Sequence, residues 1–340
     1  MLGHALTALI LAAALPLEAP AQPAPAATPP AQPGAQATTP AAASALPADS
    51  VTRHTLALPG GALEYQATAG ALTLPGPNGE AQVHLAYVAY TLPGADPASR
   101  PVTFAFNGGP VAASAYLNLG ALGPRRLAFG GQGYAPSAPP VLQDNPQSWL
   151  PFTDLVFIDP VGTGYSRFAQ AEADLRKLFW SVDGDVEQLA RFIRRYLAAN
   201  QRMRSPKAIV GESYGGFRVP KVVRALQTKQ GVGVDAAIMI SPILDFYLDT
   251  SNDLISLESA ARLPALAAAR MTREGQAPSR DALAAVEAYA SGEYLLDRLR
   301  GPRDAAAVAR VVERVSAFTG LSSEFVQQAR GELRLGSLAR

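Results

Sequence analysis

Val83 to Tyr90 reads VHLAYVAY, and its positions alternate at the period of a strand that buries one face. Upstream, Thr52–Leu58 and Gly61–Ala69 alternate more loosely around Pro59-Gly60, which predicts a hairpin. Pro75-Gly76-Pro77-Asn78-Gly79 reads as a turn, since Pro presets φ and Asn-Gly tolerates positive φ. Further along, the pattern changes. Val102–Phe106 (VTFAF) and Leu155–Asp159 (LVFID) are short apolar strands, Lys207–Val210 (KAIV) reads as a strand covered on both faces, and Ala236–Ile240 (AAIMI) as the next strand. Asp183–Asn200 carries Val186, Leu189, Ile193 and Leu197 on one helical stripe, and Phe217–Leu226 reads as a second helix. Antiparallel strands followed by strand–helix–strand alternation predict an α/β fold with a mixed, largely parallel sheet.

From about Leu254 strand signals nearly vanish. Pro264–Met271, Arg280–Ala290, Asp304–Phe318 and Ser322–Leu333 are amphipathic at helical spacing. At the other end, Ala5–Leu17 is an apolar run too short to cross a bilayer, which takes about 20 residues. Ala19-Pro20-Ala21 after it resembles a signal-peptide cleavage site, although no Lys or Arg precedes the run. The Pro/Ala/Thr-rich stretch that follows has almost no charge and too little apolar bulk to offset its ordering entropy. The expected organisation is a signal peptide over 1–21, a linker over 22–50, an α/β core over 51–253 and a helical insertion over 254–340. Export to the periplasm or the medium is expected, with no stable membrane insertion after cleavage.

Composition narrows the chemistry. The 340 residues hold 29 basic and 28 acidic side chains, so no electrostatic footprint for nucleic acid exists. The absence of cysteine removes disulfides, a thiol nucleophile and thiolate metal sites. Neither a metal nor a cofactor is expected.

Three glycine-rich turns follow the carboxyl ends of strands, where open α/β sheets place their sites. They are Asn107-Gly108-Gly109-Pro110, Pro160-Val161-Gly162-Thr163-Gly164 and Gly211-Glu212-Ser213-Tyr214-Gly215. The last fits G-x-S-x-G between a predicted strand and a predicted helix, the setting a nucleophile elbow needs. Ser213 is then a candidate nucleophile, with the backbone N–H groups of Tyr214 and Gly109 as candidate oxyanion donors. The alternative is a tight turn in which Ser213 caps a helix.

Four segments together, NGGP at Asn107–Pro110, ALGPRR at Ala121–Arg126, DPVGTGYS at Asp159–Ser166 and GESYGGFRVP at Gly211–Pro220, resemble the serine carboxypeptidase family, most closely its bacterial exported branch. The resemblance runs over residues 52–340. It implies an α/β-hydrolase fold with a helical cap and removal of C-terminal residues from peptides without metal or cofactor. It makes Ser213 the nucleophile and gives Tyr214 and Gly109 the oxyanion hole. Asn107 and Glu212 match positions that recognise the free C-terminal carboxylate of the peptide substrate. A carboxyl group can pair with a carboxylate only while protonated, so such recognition favours acid. The plainer readings are a turn former for Asn107 and a structural carboxylate for Glu212.

The sequence departs from the family in three places. Val111 stands where the family has glycine, and Ala121 where its eukaryotic members have a glutamate that assists carboxylate binding. The family's acid and base follow the serine, yet no histidine follows His84. His4 falls in the signal, His54 and His84 read as structural, and Asp245 or Asp249 would have no imidazole to orient. The expectation is a C-terminally truncated chain without the last strands of the sheet, leaving an exposed edge. Three functions stay open: a serine carboxypeptidase, an inactive peptide-binding pseudoenzyme or remnant, and another α/β-hydrolase such as an esterase.

Overall fold

A computed structural model of the protein describes residues 46–128, 141–170, 172–246 and 257–333. The signal segment, most of the linker, His4 and Asp249 lie outside these residues. The chain divides into Met1–Ala41 and Ala42–Arg340, and the described residues belong to the second unit.

β1 (Ser50–Leu58) and β2 (Gly61–Pro75) form the predicted hairpin, with Leu58 opposite Gly61. β3 (Ala81–Thr91) pairs antiparallel with β2 and with β7 (Asp154–Ile158). β4 (Val102–Phe106) then lies parallel between β7 and β9 (Lys207–Glu212), and β10 (Ala236–Ile240) pairs parallel with β9. The order across the sheet is β1-β2-β3-β7-β4-β9-β10, with the two-residue β8 (Arg167–Phe168) on β3. β5 (Arg125–Leu127) and β6 (Leu142–Asp144) make a separate ribbon.

The helices of this part are α1 (Ala115–Leu117), which runs into a π turn at Asn118–Leu122, α2 (Glu172–Phe179), α3 (Val182–Ala199) and α4 (Tyr214–Lys229). Side chains of the central strands alternate between two cores. Phe104, Phe106, Val156, Ile158 and Ile209 pack with Phe192, Tyr196 and Val222 of α3 and α4. Ala105, Leu155, Phe157 and Val210 pack with Leu117, Leu122 and Leu150 on the opposite face. Burial on both faces is why these strands read as apolar runs, and each such large side chain contributes about 1.5–3 kcal/mol. β10 lies at the end of the strand order, and Ala236, Ala237 and Met239 are exposed.

Residues 257–333 are helical: α5 (Leu257–Arg273), α6 (Arg280–Ser291), α7 (Glu293–Arg300), α8 (Ala305–Thr319) and α9 (Ser323–Gln328). They enclose their own core around Leu263, Tyr294, Val311 and Val315. Ser279, Asp304 and Ser322 cap three of them by accepting from Ala282, Ala307 and Phe325 N–H. The predicted last helix is shorter than its apolar pattern. It stops at Gln328, and Arg330 takes φ +52, outside helical geometry. Among the described residues, no helix is long and apolar enough to cross a membrane.

Candidate active site

β9 delivers Ser213 at the carboxyl edge of the sheet, directly before α4. Its backbone is at φ +58, ψ −121, a strained conformation for a residue with a side chain. Hydrogen bonds hold it there: Ser213 N–H donates to Ile240 O at 2.9 Å, and Ser213 O accepts from Phe217 N at 3.3 Å and Ile243 N at 3.2 Å. The serine side chain makes no capping hydrogen bond to α4, so the helix-cap alternative does not describe it. Tyr214 opens the helix, so its N–H has no carbonyl one turn back and lies at the positive end of the helix dipole.

The turn after β4 lies directly on this elbow. A Cβ on Gly108 would sit 2.5 Å from Tyr214 N, and one on Gly215 would sit 2.6 Å from Phe106 O. Only glycines allow backbones to approach so closely. Gly109 follows at φ +109, and Val111 at φ +83. A β-branched residue in that region is strained by about 1–3 kcal/mol, and Val111 is also 69% exposed, so burial of its side chain does not compensate.

Asn107 is 1% exposed and held at each end. Its Oδ1 accepts from Leu117 N at 2.9 Å, which orients the carboxamide so that Nδ2 donates to Glu212 Oε2 at 3.1 Å. Its N–H donates to Ser114 Oγ at 3.3 Å, and that hydroxyl donates to Ile158 O. Ser114 N donates in turn to Asp159 Oδ1 at 2.9 Å, linking the first turn to the second. Burial pushes the Asp159 carboxyl above its ordinary pKa, against the lowering effect of N–H donors from Ser114 and Tyr165. The sequence expectation that the three turns converge is met, and an amide and a carboxyl from different strands meet beside Ser213. Asp159 and Ser114 were not predicted as site residues, because each acts through a backbone group that a motif does not display.

His54 and His84 are structural. His54 stacks on Tyr65 with ring centres 5.4 Å apart and shares a hydrogen bond with Thr52. His84, on β3, has its Nδ1 2.9 Å from Thr73 Oγ1 on β2, and β3 lies three strand spacings from β9, or about 14 Å. Ala121 sits in the π turn, where its carbonyl accepts from Asn145 Nδ2 at 2.8 Å. Among the described residues, no group of His, Cys, Asp and Glu could hold a metal ion.

The family model for serine carboxypeptidases matches residues 61–244. A pheromone-processing carboxypeptidase kex1 of Sclerotinia sclerotiorum is 32% identical over 122 residues, 35% of this chain and 17% of that protein. Serine carboxypeptidase-like 29 of Arabidopsis thaliana is 30% identical over 146 residues, 41% of this chain and 27% of that protein. The matched stretch thus spans less than a third of either relative. Among solved structures, the prohormone-processing carboxypeptidase Kex1(delta)p of Saccharomyces cerevisiae aligns at 21% identity and a TM-score of 0.40, covering 58% of this chain and 46% of that one.

Proposed function

Because the chain belongs to the serine carboxypeptidase family, we propose that it carries the nucleophile and carboxylate-recognition half of a site that removes C-terminal residues from peptides. The observation that carries this reading is the Asn107–Glu212 pair beside a strained, uncapped Ser213. In the proposed reaction Ser213 Oγ attacks the last peptide carbonyl. The Tyr214 and Gly109 N–H groups receive the developing oxyanion, the last C–N bond breaks, and the original C-terminal residue leaves as the free amino acid once its amine takes up a proton. Water then hydrolyses the acyl-serine. Asn107 Nδ2 and a protonated Glu212 donate to the substrate's carboxylate. Two carboxyl groups share a site only when one of them holds a proton, so binding weakens as pH rises.

The Ser213 proton needs an acceptor, and no described histidine is within reach. That observation favours a second reading, in which the chain binds peptide C-termini without cleaving them. We assign helices α5–α9 to the cap of such a hydrolase. The Ala5–Leu17 run and Ala19-Pro20-Ala21 support export.

A paired experiment tests these readings. Blocked dipeptides with a free or an amidated C-terminus are titrated against the chain at several pH values, and a fluorophosphonate probe is applied with Ser213→Ala as control. Acid-favoured binding of the free carboxylate alone supports the site. Labelling of Ser213 selects the enzyme over the binding protein. Equal binding of both peptides would sink the carboxylate assignment.

A further inference from the structure

α3 and α4 pack against one another, and between them lies a buried ion pair that the proposed chemistry does not use. Asp185 is 6% exposed and Arg218 is 2% exposed. Arg218 Nε donates to Asp185 Oδ2 at 2.6 Å. Charges buried this far from water cost several kcal/mol each, and an apolar pair of equal volume would join two helices as well. The destinations of the remaining hydrogen bonds are therefore informative.

Those bonds lead to the three glycine-rich turns. Arg218 Nη1 donates to Asn107 O at 2.8 Å, at the residue whose side chain meets Glu212. The Arg218 guanidinium carbon lies 4.6 Å from the centre of the Tyr214 ring. The pKa of Tyr214 is raised first by burial and then by the Asp185 charge. Asp185 Oδ1 accepts from Gln188 Nε2 at 3.2 Å, and Gln188 Oε1 accepts from Val161 N at 2.9 Å in the turn after β7. A cavity of about 260 Å³ borders the network and is lined in part by Val111, Trp180 and Tyr214. The turns thus have room to move beside the ion pair.

We infer that Asp185 and Arg218 are positioning residues, which lock the β4 turn, the β7 turn and the elbow into one register so that Asn107 and the Tyr214 N–H face Ser213 together. Neither touches the reacting atoms. The inference rests on the proposed reading of Ser213, although the geometry it explains stands on its own. It gives Arg218 a role that lysine cannot fill. A single ammonium can pair with Asp185 or reach the Asn107 carbonyl, whereas the guanidinium fork does both.

Hydrogen exchange on the intact chain tests this without requiring activity. Ala112 and Thr163 N–H donate within the turns, Leu117 N–H donates to Asn107 Oδ1 and Val161 N–H to Gln188 Oε1, so all four report on the opening of the turns. Arg218→Met should raise exchange at these amides by about tenfold or more, while the β1–β2 hairpin exchanges as before. Arg218→Lys should keep Val161 protected and loosen Leu117. If Arg218→Met does not fold, the lysine variant carries the test. In parallel, binding of a blocked dipeptide with a free carboxylate should weaken about tenfold in either variant. A uniform rise in exchange across the sheet, or unchanged turns, would overturn the inference. If the wild-type chain binds no such peptide, the functional reading of the site fails, and the exchange pattern still decides the role of the ion pair.

Discussion

At the amino ends of the parallel strands, Asp154 accepts from Arg100 Nε at 2.6 Å, from Arg202 and from Leu92 N at 3.1 Å. Arg202 also donates to the carbonyls of Arg100 and Pro101, and Arg100 donates to Leu150 O. At the carboxyl ends, Arg218 donates to Asn107 O and lies over the Tyr214 ring, while Asp185 reaches Val161 through Gln188. The lower centre joins segments to the strands they enter, and beside it one non-glycine residue, Gln201 next to Arg202, takes positive φ at +57. The upper centre holds turns that contain two non-glycine residues at positive φ, Val111 and Ser213. A buried ion pair contributes little net stability wherever it sits, so the difference between the two lies in what each one orients.

The largest expected effect breaks the lower centre. Asp154→Ala leaves Arg100 and Arg202 buried without their carboxylate and should cost about 3–5 kcal/mol, read from urea unfolding. Exchange at Ala112 and Thr163 should rise only as far as the whole sheet does. Selective opening of those turns would erase the distinction between the two ends.

A smaller effect sharpens the contrast at the upper end. Val111→Gly should stabilise the protein by about 1 kcal/mol, because relief of positive-φ strain outweighs the extra freedom of glycine in the unfolded chain. The measurement is the urea midpoint at constant m-value. A loss of stability would mean that the valine side chain contributes more at the cavity than its backbone conformation costs.

How much of this could be read in the sequence follows the range of the interactions. β4, β7 and the helix at 182–199 were legible because burial on one or two faces imprints a local period. α2 (EADLRKLF) and α7 (EYLLDRLR) were missed because both are rich in charge, and only Gly292 separates α7 from the helix before it. β2 continues through Gly70 to Pro75, beyond the predicted end at Ala69, because β3 pairs along its length. In the site, Ser213, Tyr214, Gly109, Asn107 and Glu212 were visible as motif residues. The upper ion pair was not, since Asp185 and Arg218 come from different helices and meet only in the fold. One clue was present: Tyr214 and Arg218 are four residues apart and share a helical face.

The smallest effect separates a carboxyl in the turns from one in the helical region. Burial raises the Asp159 pKa, so its ionised form is carried at a cost in the folded state. Its contribution is complete below the ordinary carboxylate pKa and is lost as pH rises through the folded value. Asp297 behaves oppositely. The Arg310 hydrogen bond, followed by that of Arg300, holds its pKa down, so its contribution exists above the ordinary value and disappears as pH falls through the folded one. Urea midpoints of Asp159→Asn and Asp297→Asn, taken against wild type from about pH 2 to about pH 6, should diverge in opposite directions. As pH rises, Asp159→Asn gains relative to wild type and Asp297→Asn loses. If Asp159→Asn instead tracks wild type throughout, the N–H donors of Ser114 and Tyr165 fully offset the burial of that carboxylate, and the turn after β7 is held without electrostatic cost.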